Sequence, residues 1–309
     1  MPVYSSTPAN NSVPQGIWLP LITPFKDGRL DEVSARRLVK HYAIQPLDGF
    51  IIGATTGEGL TLDEEEVRRY VEICRNGIET AGGRIKLYLG QSGSDTQKGA
   101  AELTRTAGWP IDGYLITCPY YTRPSQLGLY RHFHALAGST DRAIMLYNIP
   151  YRTGVNLGNE QMLRLAELPN IVGVKDCCAD AAQSFDLIRH RPSGFAVLTG
   201  EDALFHNALT QGADGAVLAS AHVETQAFLG VRNRMLRGDH AGALAAWRGL
   251  ADLPRLLFAE PSPAPIKHWL WRTGLIDSAE VRLPMTEVSD GLAARIDREI
   301  ERTRAKVPA

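Results

Sequence analysis

The chain has 309 residues, 44 % of them hydrophobic and 22 % charged, so it carries enough apolar sequence to bury a sizeable core. Lys and Arg number 33 against 34 Asp and Glu, without a run of like charge, which argues against nucleic acid or an anionic membrane surface as the main partner. No stretch approaches the ~20 apolar residues of a membrane span.

Residues 1–14, rich in Ser, Pro and Asn, read as a flexible tail; they lack the basic and apolar regions of a signal peptide. Beyond them, short apolar runs alternate with longer amphipathic ones. The apolar runs are 17–22, 49–53, 85–90, 113–117, 143–147, 171–175, 195–199 and 214–218. Each has the length of a buried parallel strand, and most lack the polar/apolar alternation of a half-exposed one. Helical patterns fill the gaps at 31–44, 63–80, 95–108, 125–138, 159–168, 179–190 and 202–211. Asp63, Asp95 and Ser125 stand where helices should be capped, and Gly108, Gly138 and Gly212 where they should stop. Eight strands with intervening helices predict an α/β fold, a (β/α)8 TIM barrel over 15–222; an open doubly wound sheet is the competitor. From 223 to 309 the pattern is wholly helical, more helix than an eighth barrel unit needs, and predicts an appended C-terminal helical region.

Barrel enzymes place their chemistry at the C-terminal ends of the strands. Those ends carry Thr55-Thr56-Gly57-Glu58, Pro119-Tyr120-Tyr121, Tyr147-Asn148 and Lys175-Asp176. Lys175 closes an otherwise apolar strand, on the same side as Gly173, whose missing side chain would leave room for the lysine stem. A buried ammonium without a partner is costly unless its pKa falls, and a lysine of depressed pKa is the nucleophile that Schiff-base chemistry requires. A rim lysine paired with Asp176 is the plainer alternative. Tyr147 is a suitable proton relay beside such a lysine, or else a core tyrosine. The Thr55-Thr56 turn offers N–H and hydroxyl groups to a carboxylate, or else is an ordinary loop with Thr61 or Asp63 capping the next helix. Arg152 suits a carboxylate gripped in bidentate fashion, or a surface position. Metalloprotease, phosphate-loop and nucleophile-elbow motifs are missing, and no ligand set for a catalytic metal is evident. The cysteines Cys74, Cys118, Cys177 and Cys178 show no zinc spacing and read as free thiols of a cytoplasmic protein.

Taken together and in order, these residues resemble the dihydrodipicolinate synthase / N-acetylneuraminate lyase family of Schiff-base lyases. The markers are Thr55-Thr56-Gly57-Glu58, Pro119-Tyr120-Tyr121, Tyr147-Asn148-Ile149-Pro150, Gly173-Val174-Lys175 and Glu260-Pro261, and the resemblance runs from Leu19 to about Lys267. It implies an imine between Lys175 and pyruvate, with no separate cofactor. Tyr147 would be the central proton-transfer residue, bonded to Thr55 and to Tyr121, and Tyr121 would reach into a neighbouring subunit's site. Thr55 and Thr56 would hold the pyruvate carboxylate, and Gly200 and Val217 would line the substrate pocket. A homo-oligomer follows, with a dimer as the minimum and a tetramer expected. The segment Tyr147–Gly154 resembles the synthase branch, in which the arginine matching Arg152 binds the carboxylate of aspartate semialdehyde. That implies condensation to 4-hydroxy-tetrahydrodipicolinate on the lysine/diaminopimelate route.

The departures are Cys177-Cys178 after the lysine, Gly59 in place of a serine, Ser262 in place of an asparagine, and Ala221-His222 in place of Ala-Asn. They leave open a sister aldolase or dehydratase acting on a sugar-derived 2-oxo acid, or a silent barrel that binds a 2-oxo acid. Leu60, Glu64, Val67, Ser94 and Lys98 occupy the positions that hold lysine in inhibited synthases. A leucine, a valine and an opposing lysine there imply weak or absent inhibition, which a low-micromolar inhibition constant would rule out.

Overall fold

The computed structural model describes residues 12–304. Of the expected tail, residues 1–11 lie outside the described residues. Eight strands form a closed barrel: β1 (Gly16–Pro20), β2 (Gly49–Ile52), β3 (Lys86–Gln91), β4 (Gly113–Thr117), β5 (Ala143–Asn148), β6 (Ile171–Asp176), β7 (Ala196–Thr199) and β8 (Gly215–Val217). Their hydrogen-bonded order is β1-β8-β7-β6-β5-β4-β3-β2, which decides against the open sheet. Pairing is parallel along the described registers, and most strand residues are buried whichever way they point, as the unbroken apolar runs require.

The chain divides into two compact units, one holding the chain up to Trp18 with Lys86–Val217, the other Leu19–Ile85 with everything from Leu218 on.

In the first unit, β3 to β8 alternate with helices α3 (Thr96–Arg105), α4 (Gln126–Ala137), α5 (Asn159–Leu165), α6 (Ala181–His190) and α7 (Phe205–Thr210). Asp95 and Ser125 cap as expected: Asp95 accepts from the N–H groups of Gln97 and Lys98, and Ser125 from that of Gly128. Gly138 closes α4 as expected, whereas α3 ends at Arg105, before Gly108. Gly212, at φ +92°, turns the chain after α7.

In the second unit, α1 (Glu32–Ala43) and α2 (Glu64–Thr80) flank β2. Asp63 and Glu66 form a reciprocal capping box at the start of α2. The C-terminal helices are α8 (Ala221–Leu236), α9 (His240–Leu250), α10 (Asp252–Leu257), α11 (Ala264–Arg272) and α12 (Asp290–Arg304). The region from 223 on, expected to be wholly helical, is interrupted: α9 and α10 are separated at Ala251, and residues 273–289 form no helix. A two-residue hairpin ladder, Phe25–Lys26 with Arg29–Leu30, is too short to have shown as a pattern. No helix among the described residues is long and apolar enough to cross a membrane.

Candidate active site

Lys175 lies at the end of β6, opposite Tyr147 of β5 and Leu198 of β7 in the parallel ladder. It is 5 % exposed and Tyr147 3 %, and the ammonium nitrogen stands 4.1 Å from the centre of the tyrosine ring. Ring and cation attract at that distance. The ladder continues past the strand ends, where Cys177 N–H donates to the Asn148 carbonyl and Gly200 N–H to the Asp176 carbonyl, each at 2.8 Å. These bonds tie the first residues after β6 and β7 to the barrel.

The plainer alternative for the lysine fails, and one expectation about it is corrected. Asp176 does not partner it: the Asp176 carboxylate accepts from Ser184 Oγ at 2.5 Å and from Cys178 N–H at 3.0 Å. Gly173 does not make the room either. A Cβ there would stand 2.7 Å from the Ala196 carbonyl oxygen, so Gly173 admits the neighbouring strand. The space comes from Gly200, where a Cβ would fall 2.5 Å from Lys175 Cε and 2.4 Å from Cys177 Sγ. Gly200 is thus brought against the lysine, where its missing side chain is a condition of the lysine's position.

Burial pulls the Lys175 pKa below its ordinary value, and the nearby Arg152 guanidinium adds to that. Cys177, Asp202 and Glu201 oppose the shift. Arg152 itself is exposed on the helical turn Pro150–Thr153, with its guanidinium 5.8 Å from the centre of the Tyr151 ring. Asn148 fixes the loop that carries both residues: fully buried, its side chain accepts from Leu157 N–H at 3.0 Å and donates to Asn156 at 2.8 Å. Val217 ends β8, buried and paired with Trp18. Tyr121 is 92 % exposed with φ +69°, a left-handed conformation that is unfavourable for a bulky side chain; its N–H reaches the Thr153 carbonyl at 3.3 Å.

Thr55 and Thr56 belong to the second unit, in a single 3-10 turn, Thr55–Gly57. Gly57 is drawn against the chain there: a Cβ would come within 2.8 Å of the Leu21 carbonyl oxygen, and Thr23 Oγ1 donates to the Gly57 carbonyl at 2.7 Å. Gly59, the departure from serine, has equally little freedom, since its Cβ would overlap the Gly53 carbonyl. Glu58 turns away into a structural role. Its carboxylate pairs with Lys267, which is fully buried, and accepts from Arg282 N–H at 2.9 Å. Burial holds the Lys267 pKa down at about 8 even though the carboxylate opposes it.

Sequence reasoning gave no role to two residues near the lysine. Cys177 is buried against the lysine stem. Glu201, two residues past β7, has a carboxyl approached by the Tyr151 hydroxyl and the Cys177 thiol. Burial raises the Glu201 pKa, and the neighbouring hydroxyl, thiol and lysine counteract it. The available signal was the strand-end position of Gly200-Glu201, the same criterion that singled out Lys175. Among the described residues no group of three or more His, Cys, Asp or Glu is arranged to hold a metal.

A glycine-relieved, buried lysine beside a buried tyrosine at a barrel rim is the arrangement expected of a Schiff-base enzyme. Residues 13–303 match the family described as dihydrodipicolinate synthetase. The chain belongs to that family. It is 43 % identical over 284 residues to 4-hydroxy-tetrahydrodipicolinate synthase 2 of Clostridium acetobutylicum, covering 92 % of this chain and 98 % of that one. Among solved structures it is similar to the dihydrodipicolinate synthase of Aquifex aeolicus, with a TM-score of 0.88, 31 % identity and coverage of 96 % and 100 %. A monomeric dihydrodipicolinate synthase variant matches with a TM-score of 0.89 at 29 % identity, over 94 % and 97 % of the two chains.

Proposed function

We propose that this member of the dihydrodipicolinate synthetase family condenses pyruvate with L-aspartate 4-semialdehyde to give 4-hydroxy-tetrahydrodipicolinate. The observation that carries the reading is Lys175, buried at the end of β6 with its pKa lowered and its nitrogen over the Tyr147 ring. The amine of Lys175 adds to the pyruvate ketone, water leaves, and an iminium remains. The positive nitrogen acidifies the methyl group, whose proton is lost to give a neutral enamine. The enamine carbon then attacks the aldehyde, the new alkoxide takes a proton, and the lysine iminium is restored. The substrate's own amine, as the free base, adds to the iminium carbon and displaces Lys175, which closes the ring and frees the lysine. Every step draws its electron sink from the lysine, so the reaction uses no external cofactor.

Tyr147 is positioned to relay protons to and from the carbinolamine. Thr55 and Thr56 keep the carboxylate-holding role that the resemblance gives them, and Arg152 takes the carboxylate of the aldehyde substrate. Gly200 gives the lysine its space, and Val217 lines the pocket. Tyr121 serves a second subunit: its exposure and left-handed backbone fit a side chain held for a partner rather than for its own fold. A cytoplasmic homo-oligomer, a dimer at least and a tetramer in full, completes the reading.

The test is turnover. With pyruvate present, L-aspartate 4-semialdehyde should be consumed at a rate well above that of sugar-derived 2-oxo acids. Consumption of the sugar acids alone would replace this substrate assignment with a sister activity.

A further inference from the structure

L-aspartate 4-semialdehyde is a zwitterion. Its carboxylate has Arg152, but its α-ammonium has no assigned partner. We propose that Glu201 receives that ammonium, and so selects an amino-bearing aldehyde over the same chain without the amine. This inference rests on the substrate reading given above.

Three observations carry it. The first is position. Glu201 follows β7 and Arg152 follows β5, the two strands that flank β6 and its lysine, so the reacting nitrogen feels a carboxyl from one side's loop and a guanidinium from the other's. The second is the free acceptor. Glu201 Oε1 is shut off from solvent and accepts no well-formed hydrogen bond among the described residues, although Tyr151 and Cys177 approach the carboxyl. A buried acceptor left unmet costs free energy that a charged donor would recover. The third is rigidity. Gly200 N–H is bonded to the Asp176 carbonyl, and Glu201 N–H donates to Thr199 Oγ1 at 3.2 Å, so the backbone that carries the carboxyl is fixed.

Charge balance gives the order of events. Before reaction, the positive field of Lys175 falls on Glu201. The iminium keeps one positive charge on that nitrogen, and loss of the methyl proton removes it. At the enamine stage Glu201 therefore faces a neutral nitrogen, and the arriving ammonium restores the lost counter-charge. A carboxylate at this place favours an amino-bearing aldehyde most strongly once the enamine has formed.

The experiment compares kcat/KM for L-aspartate 4-semialdehyde and for 4-oxobutanoate, its desamino counterpart, in the wild type, Glu201→Gln and Glu201→Asp. In Glu201→Gln the preference for the amino-bearing aldehyde should fall about 10- to 100-fold, the range for losing one charge-assisted hydrogen bond, with the loss in KM. Glu201→Asp, which keeps the charge, should recover part of the preference. An unchanged preference, or equal losses on both aldehydes, would overturn the proposal. Trapping of the wild-type pyruvate imine with borohydride, together with wild-type turnover, tests the underlying reading separately.

Discussion

At Lys175 the determining fact is an ammonium site 5 % exposed, with burial as the largest influence on its pKa. A cation destabilised by burial sheds its proton at lower pH than a free lysine, so the reactive amine is populated below the ordinary lysine range. The groups facing it act in both directions: Cys177, Asp202 and Glu201 raise the pKa and Arg152 lowers it. Second-order rates of imine formation with pyruvate should therefore climb with pH and level off below the ordinary lysine value of about 10.4. A climb that continues through that value would contradict the lowered pKa. Replacing the lysine should not harm the fold. Lys175→Met removes a desolvated charge and keeps most of the volume, so thermal unfolding should show an unchanged or higher Tm while imine formation vanishes. The lysine's importance was legible in the sequence because it interrupts an apolar strand. What makes its space was not. Alternation along one strand pointed to Gly173, whereas the decisive glycine, Gly200, comes from the loop after the next strand, a contact that no local pattern records. Glu201 was hidden for a related reason, since a carboxylate just before a helix looks like ordinary helix-start chemistry.

At the scale of elements, the eight strands were readable because both faces of each are buried and the runs stay apolar throughout. Elements too short for periodicity, such as the hairpin Phe25–Lys26 with Arg29–Leu30 and the helical turn Pro150–Thr153, left no trace. Within the Thr55–Glu58 marker only Thr55 and Thr56 had a role in the sequence reading, and the structure gives Glu58 a different one. Glu58, in a left-handed conformation, pairs with Lys267 of α11, which also donates to the Glu280 carbonyl at 2.8 Å. The link ties the segment after β2 to the C-terminal helices within their unit. Lys267→Met would strand the Glu58 carboxylate in a buried site and should destabilise the protein by about 3–5 kcal/mol. Chemical denaturation of Lys267→Met and of the Glu58→Gln/Lys267→Met double variant checks this. The double variant should be the more stable of the two, and equal stability would remove the buried pair from the account.

For the whole molecule, the sequence left two architectures and three functional readings in play; the closed strand order decides the first, and a family match over residues 13–303 supports the synthase among the second. Assembly belongs to this scale. Tyr121 contributes little to its own chain, being 92 % exposed. If it completes a neighbour's site, activity should follow association, and sedimentation at assay concentrations should show a dimer or larger. A fully active monomer would contradict that role, and one solved relative is itself described as a monomeric variant. The central claim needs no knowledge of the aldehyde. Incubation with pyruvate and borohydride, followed by peptide mass spectrometry, should place a reduced pyruvyl adduct on Lys175 and none on Lys175→Met. An unmodified Lys175, or an adduct confined to other lysines, would contradict the Schiff-base account.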